Sequence, residues 1–299
     1  MTRRGVVLFG VMSLLWGIPY LFIRIAVGEI SPAFLIFVRT AIGAAILVPA
    51  ALLTTDVRSV LRHWRWVLTF AVVEITIPWV CLSTAEQQVS SSLAGLLIAG
   101  VPLVGSLIAV ATGSVHRIGG RGLVGLLVGL AGVAAIAGGD FETTGVIPLV
   151  LVALTVIGYA IGPAILSRQL AGVSSVAIMA LSLSFNVVLY GLISGAQGWP
   201  QALPSGAVVG SVVMLGIFCT ALAFLFFAEL IKEIGPVRAT IITYVNPAVA
   251  AVLGVLVLDE TFTVAMVVGF ILVTAGSILA TRRDGPADAG QRPVPIEPS

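Results

Sequence analysis

One carboxylate, Glu74, lies near the middle of a long apolar segment, within the stretch VVEITIP. An ionised carboxylate in hydrocarbon costs several kcal/mol unless it is paired or faces water. We therefore expect the Glu74 carboxyl to be protonated, hydrogen-bonded or exposed to a polar cavity. Two interpretations stay open: a neutral glutamate that only stabilises the fold, or a group that carries a proton or binds the amine of a solute.

Two arginines, Arg24 and Arg39, lie away from the basic clusters at the ends of the other apolar segments. Arg39 is several residues inside its segment, so its long side chain only partly reaches an interface. Either arginine could pair with Glu29 or Glu86 at that interface. The alternative is an external gate or a site for an anion. In each case we expect Arg39→Ala to be more harmful than the loss of a loop arginine.

Two prolines, Pro102 and Pro247, each lie well inside an apolar segment. Because proline removes a backbone donor and frees a carbonyl, we expect both to break their helices at equivalent positions and to mark a central cavity. Aromatic and amide side chains occur near the same depths, and we expect them to line this cavity with Glu74. These further predicted substrate-binding residues are Trp16, Tyr20, Trp79, Tyr159, Asn186, Tyr244 and Asn246.

Common motifs for catalysis are absent from the sequence, including GxxxxGK[ST], HExxH and GxSxG. Cys81 and Cys219 lie inside apolar segments, where cysteine usually acts as a small buried hydrophobe. His63 and His116 stand alone, without the ligand spacing of a zinc site. We therefore expect no catalytic residue, no metal, no cofactor and no nucleic-acid partner.

The elements that position these residues follow from composition. Hydrophobic residues make up 59% of the chain and charged residues 9%, and the mean hydropathy is +1.16; an ordinary soluble domain has about 25% charged residues. The apolar runs have the length of membrane-spanning helices and predict an all-α membrane protein with ten transmembrane helices. The runs cover approximately residues 5–27, 32–54, 66–84, 90–112, 122–138, 144–166, 175–196, 206–230, 237–258 and 263–281.

Charge in the predicted loops alternates in sign along the chain. Because Lys and Arg favour the cytoplasmic side, the basic loops predict that both termini are cytoplasmic. The basic loops carry Arg3, Arg4, Arg58, Arg62, Arg65, Arg117, Arg121, Arg168, Lys232, Arg238, Arg282 and Arg283. The outward loops carry Glu29, Glu86, Asp140, Glu142, Asp259 and Glu260.

An internal repeat supports the same organisation. Residues 94–102 (AGLLIAGVP) lie over residues 239–247 (ATIITYVNP), and Gly125 and Gly132 fall over Gly269 and Gly276. A five-helix unit duplicated in tandem must have opposite orientations in its two copies, because five is odd. We predict a first repeat at 1–142, a second at 143–283 and a disordered cytoplasmic tail at 284–299.

The residues at these positions resemble a known family. Leu15-Trp16-Gly17 in the first segment and the run from Glu229 to Ala239, followed by Tyr244-Val245-Asn246-Pro247, are similar to EamA-type carriers of the drug/metabolite transporter superfamily. The resemblance covers about residues 8 to 281. It implies ten helices in two inverted halves, a central substrate cavity and transport of small metabolites, often the export of amino acids or related compounds.

These observations predict a secondary, gradient-driven transporter that works by alternating access in the cell (inner) membrane. Since the middle of the bundle carries no lysine and no evident arginine pair, we expect a small neutral or zwitterionic substrate rather than a phosphorylated one. The expected partners are this small molecule, membrane lipids and a proton as the coupling ion. A monomer and a homodimer both stay open. The alternative functions are a membrane-embedded lipid-modifying enzyme and a non-transporting membrane subunit.

Overall fold

A computed structural model describes residues 2–54, 60–112, 120–139, 145–235, 239 and 241–281. Within these ranges the chain folds into nine apolar helices of membrane-spanning length and a tenth, shorter one. Their bounds are α1 Arg3–Ala26, α2 Pro32–Thr54, α3 Trp64–Ala85, α4 Ser91–Ala111, α5 Gly120–Gly138, α6 Val146–Gln169, α7 Ser175–Gln197, α8 Gly206–Ile234, α9 Ile242–Leu258 and α10 Val264–Thr281.

The lengths of these helices explain why apolar runs could predict them. The nine longer helices have at least 18 residues, which at a rise of about 1.5 Å per residue is roughly the thickness of a bilayer's hydrocarbon core. The predicted all-α membrane fold is confirmed, and the chain is a multi-pass membrane protein. The predicted tail at 284–299 lies outside the described residues.

Contacts between helix termini define two ends of the bundle. At one end Arg4, in the first turn of α1, pairs with Glu229 near the end of α8. At the other end Arg24 of α1 reaches the residue that follows α3, and Glu29 reaches Ser205 before α8. We call these the basic end and the acidic end, after the charges that the sequence predicted for their loops. The described basic residues of the first are Arg3, Arg4, Arg62, Arg65, Arg121, Arg168 and Lys232. The described acidic residues of the second are Glu29, Glu86, Asp259 and Glu260. Of the loop charges used in the prediction, Arg58, Arg117, Arg238, Arg282, Arg283, Asp140 and Glu142 lie outside the described residues.

The helices pack as two related halves. The most extensive contacts join α5 to α10 and α2 to α7, and α4 packs on α9. Each pair therefore joins equivalent helices of the two five-helix repeats. In the α5–α10 pair a Cβ added at Gly125 would lie 2.7 Å from the Gly276 carbonyl, and one added at Gly132 would lie 2.7 Å from the Gly269 carbonyl. The glycines thus let the two backbones approach closely.

Proline breaks only one of the two helices in which a break was expected. α4 consists of Ser91–Ile98 and Val101–Ala111, so it is interrupted just before Pro102. In contrast, α9 runs from Ile242 to Leu258 without interruption, so the expected break at Pro247 is wrong. In place of Gly100 the second repeat has Val245, and the Asn246 amide, oriented to suit its neighbours, donates to the Ile242 carbonyl at 2.9 Å. Pro247 removes only its own backbone donor, and membrane helices tolerate such a loss.

Two helices carry a π-helical turn at equivalent positions. The turn covers Ala71–Thr76 in α3 and Ile217–Leu222 in α8. Glu74 and Thr220 each occupy the fourth position of their turn. A π-turn inserts a residue into a helix and changes the direction of the side chains around it, and such turns are frequent at functional sites. The repeat therefore places two irregular turns, one from each half, inside the bundle.

Candidate functional site

A buried arginine joins the two halves of the bundle. Arg39 of α2 is 7% exposed, and its guanidinium carbon lies 3.7 Å from the ring centroid of Trp79 on α3. Its Nε donates a hydrogen bond of 2.9 Å to the Thr220 hydroxyl in the π-helical turn of α8. A desolvated cation over an indole ring gains about 2 kcal/mol or more. Arg39 is therefore held in one orientation by both repeats.

Neither arginine forms the carboxylate pair considered from the sequence. The ion pairs within 4.0 Å in the described ranges lie at the basic end and do not include Arg24 or Arg39. Arg39 lies seven residues beyond Pro32, about 10 Å along the helix, and is therefore too deep to reach Glu29. Arg24 donates instead to the backbone carbonyl of Glu86. Pairing with Glu29 or Glu86 is thus wrong for both arginines.

Two tyrosines surround this arginine. Tyr20 of α1 is buried, and Tyr159 of α6 is half-buried. Both hydroxyl groups are close enough to Arg39 to interact with its charge, and the Trp79 side chain also lies near the Tyr159 hydroxyl. We call Tyr20, Arg39, Trp79 and Tyr159 the central cluster. The structure thus brings together four residues that were predicted separately from the sequence.

Glu74 lies beside the central cluster. Its side chain is half-buried, and its Oε2 atom is enclosed with no hydrogen-bond partner in the part of the chain that the structure describes. The charge of an ionised Glu74 would act on the Tyr159 hydroxyl. On α6, a Cβ added at Gly162 would collide with the Glu74 carboxyl group. The glycine at 162 therefore provides the space in which this carboxyl lies.

A second buried carboxyl lies at the acidic end. Glu86 directly follows α3 and is 0% exposed, and neither of its carboxyl oxygens has a hydrogen-bond partner among the residues described. Burial and the nearby Glu260 carboxylate hold the pKa of the Glu86 carboxyl well above its usual range. The side chain was predicted only as a loop charge, because its burial depends on helices that are distant in sequence.

An open cavity lies next to Glu86. It has a volume of about 590 Å³ and is lined by Arg24, Gly28, Gln87, Ser90, Leu258 and Glu260. The Glu260 carboxylate accepts hydrogen bonds from the backbone of Ser91 and Ser92, at 2.7 and 2.9 Å, and from the Ser92 hydroxyl at 2.6 Å. It therefore caps the first turn of α4 and links the second repeat to the first.

Three predicted substrate-binding residues instead connect helices. Trp16 packs on two phenylalanine rings of α8, with centroids 5.8 and 4.7 Å away. Asn186 of α7 accepts a 2.8 Å hydrogen bond from the Thr76 hydroxyl, and the Asn246 amide donates to the Ser13 carbonyl of α1 at 3.1 Å. The remaining predicted residue, Tyr244, is half-buried on α9. These contacts explain their depth in the bundle without a ligand.

Charged contacts join α1 to α8 at the basic end. Arg4 lies 2.9 Å from Glu229 and 3.7 Å from Glu233, and Lys232 lies 2.8 Å from Glu229. The Thr2 hydroxyl also donates to Glu233. Exposed pairs such as these are weak, because water screens their charges. They join α1 to α8 with contacts weak enough to separate.

Known proteins resemble this chain over nearly its whole length. An uncharacterized inner membrane transporter of Escherichia coli strain K12, YedA, is 29% identical, with 93% of this chain and 94% of the relative covered. An uncharacterized transporter of Bacillus subtilis strain 168, YvbV, is 23% identical over 94% of this chain and 92% of the relative. One solved crystal structure covers 94% of this chain and 97% of its own, with a TM-score of 0.66 and 22% identity, and this likeness shows the fold.

The family comparison agrees with the two halves seen in the fold. The EamA-like transporter family matches residues 3–138 and again residues 146–282. These two matches cover the described helices of each repeat and most of the chain. The chain therefore belongs to the EamA-like transporter family and is a multi-pass membrane transporter.

Proposed function

We propose that this chain is a secondary transporter that uses an ion gradient to move small neutral or zwitterionic metabolites by alternating access. The proton is the coupling ion, and the Glu74 carboxyl binds it. Export of amino acids or related metabolites is the direction and substrate class that the family suggests. The proposal assigns no catalytic step to the chain.

The observation that carries this proposal is the state of Glu74. Its Oε2 atom has no partner within the described residues, although it is enclosed by the bundle. A carboxyl in such a place is stable only when it is protonated or faces a bound cation or water. The Arg39 guanidinium nearby is already engaged by Thr220 and Trp79, and it is a single cation rather than the paired cations that a phosphorylated solute would want. A polar, uncharged or zwitterionic solute therefore fits better beside Glu74 and Tyr159.

The arrangement of the two ends supports alternating access. The acidic end contains the cavity of about 590 Å³, whereas α1 and α8 are joined at the basic end by ion pairs. In this conformation the cavity at the acidic end is larger than the pocket of about 260 Å³ that α3, α4 and α6 line toward the basic end. By the positive-inside rule the basic end faces the cytoplasm, and both termini lie there in the inner membrane. In the opposite conformation the Arg4–Glu229 pair would separate and the acidic end would close.

Transport by reconstituted protein tests the proposal. A thermal-shift screen of a metabolite library identifies a ligand, and the labelled ligand is then used for counterflow and for flux driven by a proton gradient. We expect wild type to show both activities and Glu74→Gln to retain counterflow while losing proton-driven flux. Glu29→Gln is the matched control, because this exposed carboxylate lies away from the bundle centre.

Two outcomes would contradict the proposal. If no ligand from the screen shows saturable flux, the chain is not acting as a carrier for the tested classes and a non-transporting role becomes the better explanation. If Glu74→Gln retains proton-driven flux equal to wild type, the coupling role of Glu74 is wrong, even though transport itself is confirmed.

A further inference from the structure

Glu86 is a buried acid that the proposed function does not yet use. Both carboxyl oxygens are enclosed and have no hydrogen-bond partner in the described ranges. The guanidinium of Arg24 is near, but it donates to the backbone carbonyl of Glu86 rather than to the carboxyl group. An ionised carboxylate left in this position would lose its hydration without compensation. The site is therefore built for a carboxyl that carries a proton.

The surroundings of Glu86 differ from those of the neighbouring Glu260. Glu260 accepts three hydrogen bonds at the start of α4, whereas the Glu86 carboxyl accepts none within the described residues. Burial and the negative charge of Glu260 raise the pKa of Glu86, and the charges of Arg24 and Arg39 act in the opposite direction. Glu86, enclosed and without partners among the residues described, is therefore held in its protonated form at this end of the bundle.

The cavity at the acidic end gives this carboxyl access to water. Arg24 and Glu260, the two charged residues that act most strongly on Glu86 among its neighbours, both line the cavity, as does the adjacent Gln87. Water in the cavity would therefore contact Gln87, the residue next to Glu86 in the sequence. A proton can arrive at the acidic end without crossing the apolar part of the bundle.

Hydroxyl groups continue from Glu86 toward Glu74. The Tyr20 hydroxyl interacts electrostatically with both Glu86 and Tyr159. Tyr159 lies on α6 one turn before Gly162, the position that adjoins the Glu74 carboxyl group. The helix positions give the order: Glu86 lies at the acidic end, Tyr20 lies nearly two turns inside α1 from that end, and Tyr159 and Glu74 lie near the middle of their helices. A tyrosine hydroxyl both accepts and donates a hydrogen bond, as each step of a proton transfer requires.

We propose that Glu86 is a proton-binding residue at the acidic end, through which protons from the outer cavity reach Glu74. This inference rests on the proposed function of Glu74. A proton from cavity water adds to a Glu86 carboxylate oxygen. It then passes to Glu74 as each tyrosine hydroxyl accepts one proton and releases its own, so Glu86 ends ionised and Glu74 ends protonated.

Infrared spectroscopy of the full chain in proteoliposomes tests the inference with the proton alone. A protonated carboxyl has its own C=O band, which shifts when the proton is replaced by deuterium. We expect the wild type to show bands from Glu86 and Glu74, and we expect Glu86→Gln and Glu74→Gln to remove one band each. Glu29→Gln is the control and should remove none, because hydrogen bonds from Ser205 lower the pKa of that exposed carboxyl.

The rate of hydrogen–deuterium exchange at Glu74 tests the path. Losing a positioned proton-transfer group commonly costs about 10²- to 10⁴-fold in rate, so we expect Glu86→Gln to slow exchange at the Glu74 carboxyl by at least about tenfold. Tyr20→Phe is the second variant: it should slow the same exchange while leaving the Glu86 band in place. A conservative Glu86→Asp change should restore much of the rate.

The outcomes separate this inference from the proposed function. If Glu86→Gln removes no band, or if Glu86→Gln and Tyr20→Phe leave the Glu74 exchange rate unchanged, the inference is overturned. A Glu86 band that disappears on adding Na⁺ at constant pH would assign the site to a metal cation and would also overturn it. Failure of the proposed function is detected by a different measurement, the flux assay, as proton-driven flux that survives Glu74→Gln.

Discussion

The hydrogen bond between Arg39 and Thr220 gives a direct test of the central cluster. Thr220→Val keeps the shape of the side chain and removes only the hydroxyl that accepts the 2.9 Å bond from Arg39 Nε. Both residues are buried, so no bulk water replaces the lost acceptor. A hydrogen bond to a charged group contributes about 1.5–3 kcal/mol, which is roughly a 10- to 100-fold change in the unfolding equilibrium.

Equilibrium unfolding in mixed detergent micelles, followed by tryptophan fluorescence, measures this change. The control is Thr69→Val, because the Thr69 hydroxyl is exposed and bonds only to a carbonyl one turn earlier in α3. We expect Thr220→Val to lower the free energy of unfolding by about 1.5–3 kcal/mol more than the control. If the two variants lie within about 0.5 kcal/mol of each other, the Thr220 bond does not hold the arginine, and the role given to the second π-helical turn is wrong.

Three further changes test other contacts. Gly162→Ala places a Cβ against the Glu74 carboxyl and should lower the unfolding free energy by about 1–3 kcal/mol while shifting the Glu74 infrared band; an unchanged band would contradict the packing. Glu260→Gln removes the charge that raises the pKa of Glu86, so the pH midpoint of the Glu86 band should fall; a constant midpoint would show that the two groups are not coupled. Because the folded-state pKa of Glu86 is raised, the free energy of unfolding should decrease as pH rises from the ordinary carboxyl range through that pKa, and Glu86→Gln should remove this part of the pH dependence in unfolding titrations.

The helices could be predicted from the sequence because a bilayer imposes their length. A span needs enough apolar residues to cross the hydrocarbon and must satisfy its own backbone hydrogen bonds, so the apolar runs and the final helices nearly coincide. The inverted repeat follows from the odd number of helices in each copy. These are properties of continuous stretches of sequence, and they do not depend on which helices contact each other.

The site could be predicted only in part, because its contacts depend on packing. Arg39, Trp79 and Tyr159 were each identified by their depth, but only the fold shows that they meet. Glu86 was placed in a loop, since nothing adjacent to it in the sequence indicates that other helices cover it. Pro247 shows the opposite error: its residue type predicted a break, whereas the helix continues through it from Ile242 to Leu258.

The two π-helical turns provide the physical connection between the duplication and the chemistry. Their fourth residues, Glu74 and Thr220, occupy the same place in the two turns and differ in what they place inside the bundle. The first repeat supplies an acid that can gain or lose a proton, and the second supplies a neutral hydroxyl that fixes the cation of Arg39. A threonine hydroxyl does not ionise and an arginine stays charged at any physiological pH, so of the two turns only the first can change its charge during transport. The asymmetry between two otherwise equivalent turns therefore predicts that exchanging their residues, by Glu74→Thr together with Thr220→Glu, abolishes proton-driven flux. The new carboxylate would pair with Arg39, stay ionised and no longer bind a proton in that range of pH.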